Sequence, residues 1–269
     1  MLGAIAASAA LACTALPSVA VAHKPIVFDN IPRLHLALPS ISFEATGTAE
    51  LGSEVVFAPG ARTSPTVQFE LSSFACQEGA GETCRTTRGA KYRVPITLNV
   101  YEIGAGDEVG PLLFSQSADF AIPYRPSANK KCPVVEENQG FTKHCSLYVT
   151  TSIRFKIKGQ VLPEEAIVAI AWDTKEYGLD PTGVAGPADT LGLDLNEART
   201  CVRENPATGE CLEYEQSKPS AGELPFPSRA FANSVSEEVM CGEPLGPFRA
   251  TGSCWEYKQP AFEVSAEKE

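Results

Sequence analysis

Apolar residues in this chain recur with a period of two, in short runs divided by Gly, Pro and Asn, and seldom with the spacing of a helix. In Thr66-Val67-Gln68-Phe69-Glu70-Leu71, Val67, Phe69 and Leu71 share one face and Gln68 and Glu70 the other, as a half-buried strand requires. Further strand-like runs lie at 53–57, 94–101, 112–122 and 147–157. Ile96, Leu98 and Val100 line one side of the second, and Ile153, Phe155 and Ile157 one side of the last, with Arg154, Lys156 and Lys158 facing outward. Residues 166–172 are a continuous apolar run, fitting a strand covered on both faces. Thr190-Leu191-Gly192-Leu193-Asp194-Leu195 alternates again. Seven or more short strands with turn signals between them predict an all-β, two-layer antiparallel β-sandwich. Long, irregular connections favour a jelly roll with disulfide-stapled loops.

The chain has 269 residues, 43% of them hydrophobic, which suits one large domain or two small ones and excludes a disordered or coiled-coil protein. Lys and Arg number 22 against 33 Asp and Glu, a formal charge of −11. Phosphate backbones and anionic lipid surfaces repel such a chain, so nucleic acid is not an expected partner.

Residues 2–22 carry no charge and end in Ala20-Val21-Ala22, followed by His23-Lys24. This reads as a signal peptide over 1–22 with an A-x-A cleavage site after Ala22, and the expected destination is secretion. The usual basic n-region is absent, and a start codon further upstream would supply it. Alanine-rich composition interrupted by Pro17 argues against a membrane span, and no membrane insertion is expected once the leader is removed.

Of nine cysteines, Cys13 would leave with the leader and eight would remain. An even count in an exported chain implies disulfides. The eight fall into local couples, Cys76 with Cys84, Cys132 with Cys145, Cys201 with Cys211 and Cys241 with Cys254, each bracketing a short polar segment. Sequential pairing is therefore expected. Structural zinc would need Cys-x-x-Cys knuckles, which the sequence lacks. The domain reading is a sandwich over 23–200, a disulfide-rich extension over 201–258 packed on it, and a polar tail over 259–269 expected to fray.

Several stretches carry a family resemblance: Phe28-Asp29-Asn30-Ile31-Pro32, Gly60-Ala61-Arg62-Thr63, Leu71-Ser72-Ser73-Phe74-Ala75-Cys76, Pro95-Ile96-Thr97-Leu98-Asn99-Val100-Tyr101 and, most specifically, Ile122-Pro123-Tyr124-Arg125-Pro126-Ser127. Together with the glycine-rich loop from Tyr177-Gly178 to Gly186-Pro187, they cover most of 28–195. The chain resembles a group of bacterial secreted or surface β-sandwich proteins of actinobacterial type, some with a C-terminal surface-sorting tail. The resemblance implies export and a sandwich fold, and no activity. The sequence has no apolar segment after Glu256 and no Leu-Pro-x-Thr-Gly signal, so release or non-covalent retention is expected rather than anchoring.

The segment from Trp172 to Pro187 is the most suggestive for ligand binding. It offers the aromatic rings of Trp172 and Tyr177, carboxylates at Asp173, Asp180 and nearby Asp189, and glycines that permit close backbone approach. Aromatic faces beside polar groups suit sugars, whose rings have an apolar side and a hydroxylated edge. The plainer reading, which is favoured, makes Trp172 core at the end of a buried strand. Gly104-Ala105-Gly106-Asp107 precedes another strand rather than a helix, so it reads as a turn and not a phosphate cradle. Adjacent acids at Glu136-Glu137, Glu164-Glu165 and Glu237-Glu238 read as surface charge.

The histidines are His23, His35 and His144. Cleavage after Ala22 would expose His23 as a terminal amine plus imidazole, a copper chelate that His35 or His144 would complete. Lys24 beside it repels a cation, and the favoured expectation is no metal and no cofactor. The leading functional expectation is a non-catalytic extracellular binding or structural module, with a glycan or cell-surface polymer as ligand. The alternative is an extracellular polysaccharide-active enzyme, working through copper at His23 or through carboxylates.

Overall fold

The computed structural model describes residues 24–32, 38–79, 83–106, 108–128, 148–173, 191–197, 199–205, 211–216, 218–242, 247–252, 255 and 258–268. In chain order the strands are β1 (Ile26–Asp29), β2 (Ser40–Ser42), β3 (Thr48–Val56), β4 (Thr63–Ser73), β5 (Lys91–Ile103), β6 (Val109–Pro123), β7 (Val149–Lys156) and β8 (Glu165–Trp172). They continue with β9 (Leu191–Glu197), β10 (Arg199–Glu204), β11 (Cys211–Gln216), β12 (Phe231–Ser234), β13 (Arg249–Ala250), β14 (Lys258–Pro260) and β15 (Phe262–Glu267). Two single-turn helices, α1 (Phe43–Thr46) and α2 (Glu237–Met240), interrupt them.

β2 pairs with β9, β3 with β8, β4 with β7 and β5 with β6, all antiparallel. Early strands thus meet later ones in reverse order, as when one long hairpin is wrapped over two layers. Cross pairs β4 with β9 and β5 with β8 complete each layer. The orders β2-β9-β4-β7 and β3-β8-β5-β6 that follow are jelly-roll connectivity, as the sequence predicts. The link after β5 is the expected turn, closed by Gly104 N–H donating to Glu108 O at 2.7 Å.

Alternation decides what each strand buries. Val67, Phe69 and Leu71 of β4, Ile153 and Phe155 of β7, and Leu191, Leu193 and Leu195 of β9 face Leu51 and Val55 of β3, Ile96 and Leu98 of β5, and Val168 and Ile170 of β8. All are buried, and each side chain of this size removed from water stabilises the fold by about 1.5 to 3 kcal/mol before entropy is counted.

The C-terminal reading needs correction. The stretch expected to fray over 259–269 instead carries a strand: β15 lies between β1 and β4 in the first sheet, with Phe262, Val264 and Ala266 fully buried. Phe262 packs its ring 4.7 Å from Phe28 and 5.2 Å from Phe69. Glu263, Ser265 and Glu267 give the stretch a polar composition, yet the residues between them alternate as a strand does. Within 201–260, described residues add strands to the sandwich. β12 extends the second sheet along the free edge of β3, and β14 pairs with β9. β10 and β11 form a separate two-stranded ribbon.

The first and last described stretches are tied to each other. Lys24 Nζ donates to Ser64 O at 2.6 Å and pairs with the Glu267 carboxylate at 3.1 Å. Asn30 donates through Nδ2 to Pro260 O and accepts from Phe262 N–H, each at 2.8 Å, fixing the bend at Ala261 between β14 and β15.

Candidate functional site

The C-terminal end of β4 presents Ser73 to the interior and Ser72 to the outer surface, and polar groups gather on both sides. On the inner side, α1 stops after one turn at Gly47, whose φ of 57° glycine adopts without steric cost. That turn stacks Phe43 on Trp172, ring centroids 3.8 Å apart and planes within 10°. Glu44 follows, buried, its Oε2 accepting from Leu191 N–H at 3.4 Å. Ser73 Oγ and Tyr92 Oη lie 3.1 Å apart, and the Tyr92 ring sits 4.9 Å from that of Tyr124. Burial pushes the Tyr92 phenol up, the Ser73 hydroxyl works the other way, and the Glu44 charge adds to the rise.

Trp172 is only 4% exposed, as the plainer sequence reading holds, and one ring face is taken by Phe43. Asp173 is exposed just past the end of β8. Tyr177, Asp180 and Asp189 lie outside the described residues, as do His23, His35 and His144. The Cys76–Cys84 disulfide is formed, closing the loop between β4 and β5. Cys241 is disulfide-bonded, while Cys132, Cys145, Cys254 and the side chains of Cys201 and Cys211 lie outside what is described. Among the described residues no group of three or more His, Cys, Asp or Glu is placed to hold a metal ion. No described helix is long and apolar enough to cross a membrane.

The outer face of the β15-β4-β7 layer is a hydrogen-bonded polar row. Gln68 Nε2 donates to Glu70 Oε1 at 2.7 Å, Ser152 Oγ to Glu70 Oε2 at 2.9 Å, and Arg154 Nε to Gln68 Oε1 at 2.5 Å. The pairing of β4 with β7 puts Gln68 opposite Arg154 and Glu70 opposite Ser152, so strand register alone assembles the row.

At one end of the row the sheet forks. Glu70 N–H donates to Ala261 O at 3.1 Å and Ala261 N–H to Asp194 O at 2.9 Å, so the kink before β15 wedges between β4 and β9. Asp194 and Ser72 are each 1% exposed, the Ser72 hydroxyl lying beside the Asp194 carboxyl. Burial raises Asp194 to about 7, a rise the nearby Ser72 hydroxyl moderates and the Glu70 charge increases. Glu263 is also raised, first by burial and then by the charge of Asp29, with Arg154 opposing. Alternation in 190–195 already sets Asp194 opposite the core leucines, on the other face of the strand.

A scan against protein-family models finds no match to this chain, and searches of the curated proteins and of the solved structures find none either.

Proposed function

We propose that this chain is an exported β-sandwich module that works outside the cell by binding, with a carbohydrate or another surface polymer as its ligand. The observation that carries the reading is the row Gln68, Glu70, Ser152 and Arg154, where amide, carboxylate, hydroxyl and guanidinium groups lie side by side on a sheet face. Such groups donate to and accept from ring hydroxyls in the bidentate geometry that sugars offer. Export is supported by the Cys76–Cys84 disulfide. The same support extends to kinship with the exported bacterial group that the sequence resembles. A charge of −11 disfavours nucleic acid as partner.

Pull-down of the processed protein on insoluble glycans tests the reading. Retention that falls when Gln68 and Arg154 are both replaced by Ala supports it, and no retention on any glycan or wall preparation defeats it. A second reading, a carboxylate-based polysaccharide enzyme, is favoured by Asp194, a carboxyl that keeps its proton near neutrality as a general acid must. Release of soluble sugars that stops in Asp194→Asn would reverse the order of the two.

A further inference from the structure

We propose that β6 is the seam of a two-fold dimer, in which the outer edge of the strand pairs antiparallel with β6 of a second copy about Ser117. β6 closes one end of the second sheet, and among the described residues no strand lies beyond it. At 15 residues it is the longest described strand. The other outer strands are short or charged: β13 has two residues, β2 and β14 three, β1 four, and β7 carries Arg154 and Lys156. Brevity and cations are how sheets keep such edges from pairing with other chains. Between Pro111 and Pro123, β6 has one charged residue, Asp119, whose carboxylate Arg93 holds at 2.6 Å. Leu113, Ala118 and Phe120 pack on the core yet stay half-buried, so the core is incompletely covered along this edge.

Strand geometry fixes which backbone groups this edge offers. In an antiparallel pair, successive residues turn their N–H and C=O groups alternately toward and away from the neighbour. Tyr124 N–H donates to Ala90 O at 3.2 Å, and Pro95, which has no N–H, stands opposite Asp119. From Phe114 to Pro123 the register with β5 is unbroken, so even-numbered residues bond to β5 while Ser115, Ser117, Asp119 and Ala121 turn their backbone groups outward. What commits the edge to a second copy is the sequence of β6, which reads nearly the same outward from Ser117 in both directions. Antiparallel pairing about that residue sets Pro111 opposite Pro123, Leu112 opposite Ile122 and Phe114 opposite Phe120. The prolines, lacking N–H, end the ladder at both extremities, where an edge strand tolerates them. Phe114 and Phe120 lie on the inward side, so the half-buried Phe120 ring, 5.0 Å from Phe155, acquires a further aromatic neighbour. Asp119 meets Ser115 rather than its own copy, so like charges do not face each other directly.

Sedimentation velocity of the purified protein tests this at about 1 to about 100 μM and about 150 mM salt, where the repulsion between two chains of charge −11 is largely screened. The mass should double from that of one chain as concentration rises and go no further, because a two-fold ladder closes on itself. Ser117→Lys, which sets two ammonium groups together on the axis, should raise the dissociation constant at least about tenfold. Ser117→Pro should do the same, since the N–H it removes points away from β5. Both should keep the parent near-UV circular dichroism, and the lysine variant decides the matter if the proline variant fails to fold. Ser117→Cys should give a disulfide-linked dimer on non-reducing electrophoresis, and Ala121→Cys, whose two copies would stand about 26 Å apart, should not. A monomer at every concentration overturns the proposal, as does growth into larger oligomers. A dimer unchanged in Ser117→Lys overturns β6 as the seam, and cross-linking through Ala121→Cys as readily as through Ser117→Cys overturns the antiparallel register.

Discussion

Ser53 Oγ donates to Gln259 Oε1 across the interior of the sandwich, joining β3 of one sheet to β14 of the other. Gln259 Nε2 in turn donates to Pro227 O at 3.0 Å and Arg229 O at 2.6 Å, so one buried amide holds both sheets and the turn leading into β12. Gln259→Leu leaves a buried hydroxyl and two carbonyls without their donor or acceptor. An expected loss of about 2 to 4 kcal/mol, read from urea unfolding, should exceed that of Ser53→Ala, which removes only the hydroxyl.

Asp194 gives the fold a pH dependence of defined sign. Its folded affinity, about 7, lies above the ordinary carboxylate value of 3.8, so the fold prefers the protonated form. The stability this confers is complete below about pH 4 and is lost as pH rises through 7. Asp194→Asn should therefore match the parent near pH 4 and exceed it at pH 8, by an amount of up to about 3 to 4 kcal/mol. Chemical denaturation at the two pH values checks this; a variant less stable at pH 8 would show that the buried carboxylate is compensated.

Phe262 carries the clearest consequence of a C-terminal strand inside the sheet. Its ring meets Phe28 and Phe69 and is fully buried. Phe262→Ala should cost about 3 to 5 kcal/mol, and a chain ending at Ala261 should lose its near-UV circular dichroism, since β1 pairs with β15 and would lose its neighbour too.

The Cys76–Cys84 bridge closes a loop with a sequence separation of 8. In the chain-entropy account this constrains the unfolded chain by about 2.5 kcal/mol. Replacing both cysteines by serine should lower the melting temperature by several degrees without altering the far-UV spectrum, as calorimetry would show.

Trp172 separates the two candidate sugar sites. If the polar row is the binding face, Trp172→Phe, which keeps a ring against Phe43, should leave glycan retention unchanged while lowering stability. Lost retention in a folded Trp172→Phe protein would return the site to the segment after β8.

Much of this architecture is legible in one dimension wherever alternation is strong. Val67, Phe69 and Leu71 announce their strand and its buried face, and the run ending at Trp172 announces a covered one. Phe262, Val264 and Ala266 carry the same signal, but it is short and set among charges, so composition masks it. Of the candidate site, the facing of Gln68, Glu70 and Arg154 follows from local pattern, since side-chain direction in a strand depends only on parity.

Local chain chemistry thus settles which residues form strands, which face each strand turns inward and which cysteines lie near enough to join through short loops. Which strands become neighbours is a different matter, because β4 meets β7, β9 and β15 across long stretches of chain. The carboxyl of Asp194 is buried beside Ser72 and Glu70 of β4, and burial raises its proton affinity. Desolvation is a property of the assembled surroundings, summed over groups distant in sequence, and no residue's neighbours along the chain specify it.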